Sequence, residues 1–522
     1  DKILSTGQGV VSLILNGLGF VNKRLYLVSH FFKNKPIDKL LDVSYLTPEH
    51  LNDDALGRTL DAVYEYGVNK LYALISHFTV QHLSKHYDLD LSIGHLDNSN
   101  FHLHCGEKQL YKNSSEGSEG SEDSELVLHI TRGHSKDHRP DLVQVGLQLI
   151  VNHSSRIPLM LGVLSGNEEE GKSYGKFVET YANELQNDYG LRLFVVDSKL
   201  YNQDNLSILS SKDGLKWLTR VPHTLGCVKE AFSSLEECTW HPLKGYEQEY
   251  SYQELGNIYG DVSQRWLVLR SKTKYEKDVL KFDKKVAKCR LKEAKLFKKI
   301  STQEFENKQS ALDAIQQFCK KLQYSSLKNI EITPINHYAT RGKPKKGAVP
   351  TKTTFKVHAD IEPDNTGVEI QKKKEGLGCF ILATNELDEQ VMPIEKLLET
   401  YKKQIAPERA FRFLKDPNIV ASSLFVQKPQ RIIAILMIMT LCLLVYSALE
   451  FKTRTLLKKN NTFFENQLGK PVQNPSMRWV FECFEGIHIL YMPDKKTLIL
   501  NMEEHHRVIL DLLGKQYWDF YT

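Results

Sequence analysis

The chain has 522 residues, 41% apolar and 25% charged, an ordinary globular composition that excludes a disordered polypeptide and leaves room for roughly two to four domains. A formal net charge of +5 is too small to argue for a polyanionic partner, so any such argument must come from local patches. The eight cysteines include no CxxC pair and are scattered through core-like or helical segments, which suits a reducing compartment with free thiols and no disulfide frame or zinc ribbon.

No signal-peptide pattern opens the sequence, and a start at Asp1 rather than Met points to a missing true N-terminus. Residues 1–88 predict a separate helical module: VVSLILNGLGF, PIDKLLDVSYLTPEHL and DALGRTLDAVYEYGVNKLYALISHF carry apolar residues at helical spacing, with a turn at SYLTPEH. From residue 89 the rhythm changes to strands. DLDLSIGHLD and ELVLHITRG alternate, and PLMLGVLSG is a short apolar run. Between the first two lies NSSEGSEGSEDSE, an acidic Ser/Gly tract expected to form a mobile hairpin loop. A helix KSYGKFVETYANELQ, the apolar strand LRLFVVD, a short helix near 203–211 and the strand LKWLTRVP follow. This order predicts a mixed α/β sheet with helices on its faces, its first part spanning 89–222.

Residues 223–375 break the pattern and predict an inserted α+β domain. It holds the strand SQRWLVLRSKT, a long basic helix KYEKDVLKFDKKVAKCRLKEAKLFKKI, a partner helix TQEFENKQSALDAIQQFCKKLQ, the turn RGKPKKGAVP and the strand TTFKVHADI. GLGCFILATN resumes the main domain, helices over 394–415 and 431–451 complete it by 454, and 455–522 form a small α/β tail. The run IIAILMIMTLCLLVYSAL (432–449) carries no charge and is long enough to span a membrane. A single such run in a highly charged chain favours the other reading, a helix buried in a large domain.

Three acids stand out. Asp97 is expected to end the strand LSIGHLD, and Asp197 ends LRLFVVD; acids at strand ends lie at the usual active rim of an α/β sheet. The bland reading makes both turn or capping aspartates. With Glu408 as a third carboxylate, such a set can hold two Mg²⁺ or Mn²⁺ ions about 3.5–4 Å apart for phosphoryl transfer. A competing motif is GNEEEGKS (166–173), a literal phosphate-loop pattern that would make the chain a P-loop ATPase. Glu168, Glu169 and Glu170 argue against it, since a triphosphate needs amide donors and positive charge. The histidines of HLHC and GHSKDH lack a second ligand pair at finger spacing, so ordinary sheet or DNA-proximal roles suit them better than zinc. From Lys272 to Lys299 there are 12 Lys/Arg against 4 Asp/Glu, either a solvated face or a DNA-binding one.

The stretch YKKQIAPERAFRFLK resembles the Y-x2-R-x3-E-x6-K signature of bacterial insertion-sequence transposases in the DDE, retroviral-integrase superfamily. Tyr401, Glu408 and Lys415 fall in register, and Gln404 stands where the family has arginine. GHSKDHRPDLVQ, FILATNELD and the N-terminal NGLGF, LYL and LNDDALGRTLD are similar to one subgroup, so the likeness runs over nearly the whole chain. The resemblance implies an RNase H-like catalytic core interrupted by the insertion, preceded by a helical DNA-recognition module. It implies metal-dependent cleavage at transposon ends and strand transfer into target DNA, with Asp97, Asp197 and Glu408 as catalytic metal ligands. Tyr401, Gln404, Arg412 and Lys415 become DNA contacts, and Arg341 and Lys343 in RGKPKKG resemble a minor-groove hook core that could equally be a basic turn. Double-stranded DNA, a homodimeric synaptic complex, a bacterial nucleoid location and no membrane complete the expectation. Gln404 and Pro407 depart from the family pattern, the first removing a charge that can grip a phosphate bidentately. They leave a catalytically weakened or dead relative that only binds DNA as the alternative.

Overall fold

In the computed structural model the chain divides into two units, Asp1–Arg220 with Asn257–Arg265 and Ala383–Thr522, and Val221–Gly256 with Trp266–Leu382. The structure describes residues 3–20, 27–103, 128–134, 139–233, 235, 240–339, 349–364, 376–416, 428–493 and 497–521. The second unit begins and ends close to the 223 and 375 read from the sequence, with 257–265 counted in the first.

The first unit is α/β, built on strands β1 (Ile93–Leu103), β2 (Val143–Asn152), β3 (Pro158–Leu164), β4 (Leu193–Val196) and β5 (Lys216–Arg220) in the order β3-β2-β1-β4-β5. β1, β2 and β3 pair antiparallel, whereas β4 runs parallel to β1 and β5 to β4. The sheet is therefore mixed.

Two expectations about strands need correction. The second strand is not ELVLHITRG, whose described part makes one isolated bridge, Thr131 to Gln144. It is VQVGLQLIVN, buried at every position. Buried on both faces, it has no solvent side to impose alternation, and Gln144, Gly146 and Gln148 interrupt its apolar run. Asp97 also does not end β1, which continues six residues further because β2 pairs with it as far as Leu103. The parallel ladder with β4 stops at Leu96–Val196, so Asp97 stands just past the end of that ladder.

The N-terminal helices α1 (Thr6–Leu18), α2 (Asp53–Tyr66) and α3 (Val68–His86) are not set apart as a module. They belong to the first unit and surround the apolar helix, with α3 also on β3, where the buried Tyr72 hydroxyl donates to the Pro158 carbonyl at 2.7 Å. After β3 come α4 (Glu170–Tyr189) and α5 (Gln203–Ser210), which pack on each other.

The predicted 394–415 helix is two, α6 (Ile394–Lys402) and α7 (Ile405–Leu414), with the break at Lys403–Gln404. Pro407 sits in the first turn of α7, where its missing N–H would have found no intrahelical partner. The apolar run lies in α8 (Pro429–Lys459), packed by α1, α2, α3 and β3, and 78% of its most apolar window is buried within the protein. Its first turn is clamped to α2 by Arg431, which forks onto Asp61 at 2.7 and 2.6 Å. Gly17 of α1 lets the helices touch: a Cβ there would lie 2.7 Å from the Cys442 sulfur. Burial pushes that thiol up to about 12.

The second unit has its own core. Phe297, Phe305, Ala311, Ile315, Phe318 and Val357 join the basic helix Lys272–Thr302 and the helix Lys308–Cys319 to a long hairpin of Ser325–His337 and Lys352–Pro363. The 31-residue basic helix buries only Val286, Glu293 and Phe297. Glu293 is used structurally, accepting the Gln323 and Tyr324 backbone N–H groups at 2.8 and 3.3 Å.

Candidate functional site

The geometry starts from the sheet. Because Leu96 pairs with Val196 in parallel register, the next residues on the two strands, Asp97 and Asp197, are neighbours at the carboxyl end of the ladder. Asp97 accepts the Asn98 backbone N–H at 2.8 Å. Asp197 accepts the Lys199 N–H at 2.9 Å, capping a short turn, while its own carbonyl accepts the Thr219 hydroxyl of β5 at 2.7 Å. So Asp197 does have the capping role of the bland reading, on top of its place beside Asp97.

A residue that sequence reasoning missed lies beside Asp97. Tyr174 of α4 is fully buried, with its hydroxyl 3.5 Å from Asp97 and 3.4 Å from the Asn98 side chain. Burial, then the charges of Asp197 and Asp97, hold its phenol well above the ordinary value. It therefore stays a neutral donor facing two carboxylates. The only sequence signal was its place in GKSYGKF, overshadowed by the phosphate-loop pattern.

Glu408 comes from the other direction. It lies in the first turn of α7, near the positive end of the helix, and α7 packs on β1, β2 and α8. Tyr401 links it electrostatically to the sheet: burial pushes its phenol up to about 12, with Arg220 lowering and Asp197 and Glu408 raising it. Lys415, at the end of α7, lies with its ammonium 5.8 Å from the Phe101 ring centre, four residues beyond Asp97 on the same face of β1. Arg412 is exposed on α7. Arg341 and Lys343 lie outside the described residues, as do His104, Cys105 and most of GHSKDH.

Gln404 is not directed at a ligand. Its amide nitrogen donates to the Leu96 carbonyl at 3.3 Å, and its oxygen meets His95 Nδ1 at 2.9 Å. His95 Nε2 in turn meets His153 Nδ1 at 2.8 Å, the two rings stacked 5.1 Å apart. The carbonyl needs a donor, so Gln404 Oε1 must accept, and His95 carries its proton on Nδ1. His95 Nε2 then accepts from His153 Nδ1–H, which sets both tautomers. Desolvation lowers both rings, to about 4 each. The chain ties the break before α7 to the strand bearing Asp97.

Among the described residues, no group of three or more His, Cys, Asp or Glu side chains could hold a metal ion. Asp97 and Asp197 offer the hard oxygens that Mg²⁺ or Mn²⁺ prefers; Glu408 does not complete a ligand set with them as the structure stands. The phosphate-loop motif is self-contained. Lys172 pairs with Glu169 at 3.3 Å, and Glu170 pairs with Lys199.

Residues 1–77 match a domain of unknown function, DUF4277. No curated protein matches. Among solved structures, a piggyBac transposase synaptic complex with hairpin DNA is similar at 10% identity and a TM-score of 0.33, over 87% of this chain. This chain spans 66% of that one.

Proposed function

We propose that this protein is a DNA transposase with an RNase H-like core, cutting at insertion-sequence ends and transferring the freed 3′ end into target DNA. The observation that carries the reading is the placement of Asp97 and Asp197 side by side past the β1–β4 ladder, with the Glu408 helix docked on the same strand. The signature residues Tyr401, Glu408 and Lys415 support it. Asp97 and Asp197 would hold Mg²⁺ or Mn²⁺, with Glu408 brought up as the third carboxylate when DNA engages. A metal held there would supply activation of the attacking oxygen and stabilisation of the leaving one. The chain's own groups do the rest. Tyr174 holds Asp97 in place as a neutral donor, the Lys199 N–H and Thr219 fix Asp197, and Lys415 and Arg412 bind backbone phosphates. A homodimer holding both ends would be the working assembly.

A second reading, a relative that binds DNA without cutting it, is favoured by one observation: the three carboxylates do not form a closed ligand set. The discriminating experiment is incubation of the purified chain with Mg²⁺ and a labelled duplex from its own element's ends. Nicking that is lost in Asp97→Ala and Asp197→Ala supports the enzyme. Intact binding without nicking by the wild type supports the binder.

A further inference from the structure

We propose that a cavity of 240 Å³ beside α7, faced by Arg156, Arg409 and Arg412, grips a single backbone phosphate of the nucleic acid that the proposed transposase acts on. This rests on the DNA reading given above, and to the Arg412 contact of that reading it adds Arg156 and Arg409, which no signature position includes.

Three observations converge on the cavity. The first is its charge. Arg478 is occupied by Asp416 at 2.6 Å and Glu482 at 3.1 Å, and Glu450 is shared between Arg454 at 2.8 Å and Arg156 at 3.7 Å. Among the described residues, no ion pair includes Arg409 or Arg412. In the cavity wall itself four guanidinium groups, Arg156, Arg409, Arg412 and Arg478, therefore face two carboxylates, Asp416 and Glu450.

The second observation is strain. Arg156 holds φ at +62°, a conformation that costs any residue with a Cβ, and it closes the turn by donating its N–H to the Asn152 carbonyl at 3.0 Å. Burial lowers its guanidinium, and Arg409 is the largest charge acting in the same direction. A left-handed arginine held against a like charge works against folding, and a bound anion would relieve the repulsion.

The third is shape. The floor is aromatic, Phe413 lying 4.7 Å from Tyr446 and 6.3 Å from Phe20 between ring centres, so the cations work against a low-dielectric wall. The volume is below the roughly 300–1,000 Å³ of pockets that enclose a whole small ligand, which suits one phosphate of a longer chain. Arginine forks match its oxygens two at a time. Arg409 and Arg412 share α7 with Glu408, so a strand held here passes the third carboxylate.

The test is binding of a labelled duplex by the full chain across a salt series. Arg409→Gln combined with Arg412→Gln should weaken binding about tenfold or more and flatten the log–log salt slope by about 1, the value for one lost phosphate contact. Lys176→Gln, an exposed lysine of α4, should bind like the wild type. Arg156→Gly should also bind more weakly, yet melt at the same or a higher temperature, because glycine takes this φ freely. Unchanged affinity and slope in the arginine variants, with wild-type binding intact, overturns the cavity and leaves the DNA reading standing. An Arg156→Gly that melts lower and binds duplex normally makes the arginine structural and also overturns it. Stabilisation of the wild type by inorganic phosphate, with duplex binding indifferent to the variants, makes this a small-anion site and overturns the backbone assignment. A wild type that binds no duplex sinks the DNA reading and this proposal together.

Discussion

Replacing Gln404 with leucine should loosen the strand that carries Asp97 without touching any carboxylate. The substitution removes the acceptor of His95 Nδ1–H at 2.9 Å and the donor to the Leu96 carbonyl at 3.3 Å. His95 has no solvent exposure, so its donor is left unpaired in the interior, at a cost of about 1–3 kcal/mol. A loss of about 2 kcal/mol in urea denaturation, followed through the buried Trp217 of the same unit, is expected. The sharper measurement is a double-mutant cycle with His95→Leu. Once the ring is gone the orphaned donor disappears, so the double variant should lose less than the sum, with a coupling of about 1 kcal/mol or more. Gln404→Arg, which restores the family residue, should not rescue stability, because it sets a cation donor against a ring nitrogen that already carries its proton. Additivity within about 0.5 kcal/mol would refute the His153–His95–Gln404 chain as a coupled unit.

The same pair sets an acid limit. His95 and His153 are lowered from 6.5 to about 4 by burial, so at mildly acid pH the unfolded chain binds protons that the folded one refuses. The stability they contribute is full above pH 6.5, falls as pH drops through the window down to about 4, and is exhausted below it. Denaturation at pH 7 and pH 5 should differ by about 2 kcal/mol for His95, with a smaller share from the half-exposed His153. The difference should vanish in the His95→Leu, His153→Leu double variant; a pH-independent wild type over that range would show that the rings are solvated. Gly17→Ala should cost about 1–3 kcal/mol, because its methyl meets the buried Cys442 sulfur at 2.7 Å and α8 cannot shift without disturbing α2 and α3. Gly17→Ala combined with Cys442→Ala should recover part of that loss, and no recovery would place the strain elsewhere.

How much was legible follows from how each feature is encoded. Helices with one solvent face, such as the basic Lys272–Thr302, show their period and could be placed from sequence. β2 could not, because a strand buried along its whole length has no period-two pattern, and its glutamines looked like surface. The pairing of Asp97 with Asp197 was suggested by acids following apolar runs, yet their register rests on a ladder that joins residues about a hundred apart. The helix break before Glu408 was visible in Pro407, though it falls three residues earlier, at Gln404. Tyr174 and the histidine pair were hidden for a common reason. Their meaning lies in contacts between α4, the α6–α7 break, strand β1 and the turn after β2, and no local spacing records those.

The most direct test of the account is the metal dependence of strand cleavage. With Mg²⁺ and its own element's end as labelled duplex, the wild-type chain should nick to leave a 3′-hydroxyl and join that end to a target. Asp97→Ala, Asp197→Ala and Glu408→Ala should each abolish both steps while still binding the duplex. Cleavage that survives in all three alanine variants, or a wild type that binds the end tightly and never nicks it, would contradict the account.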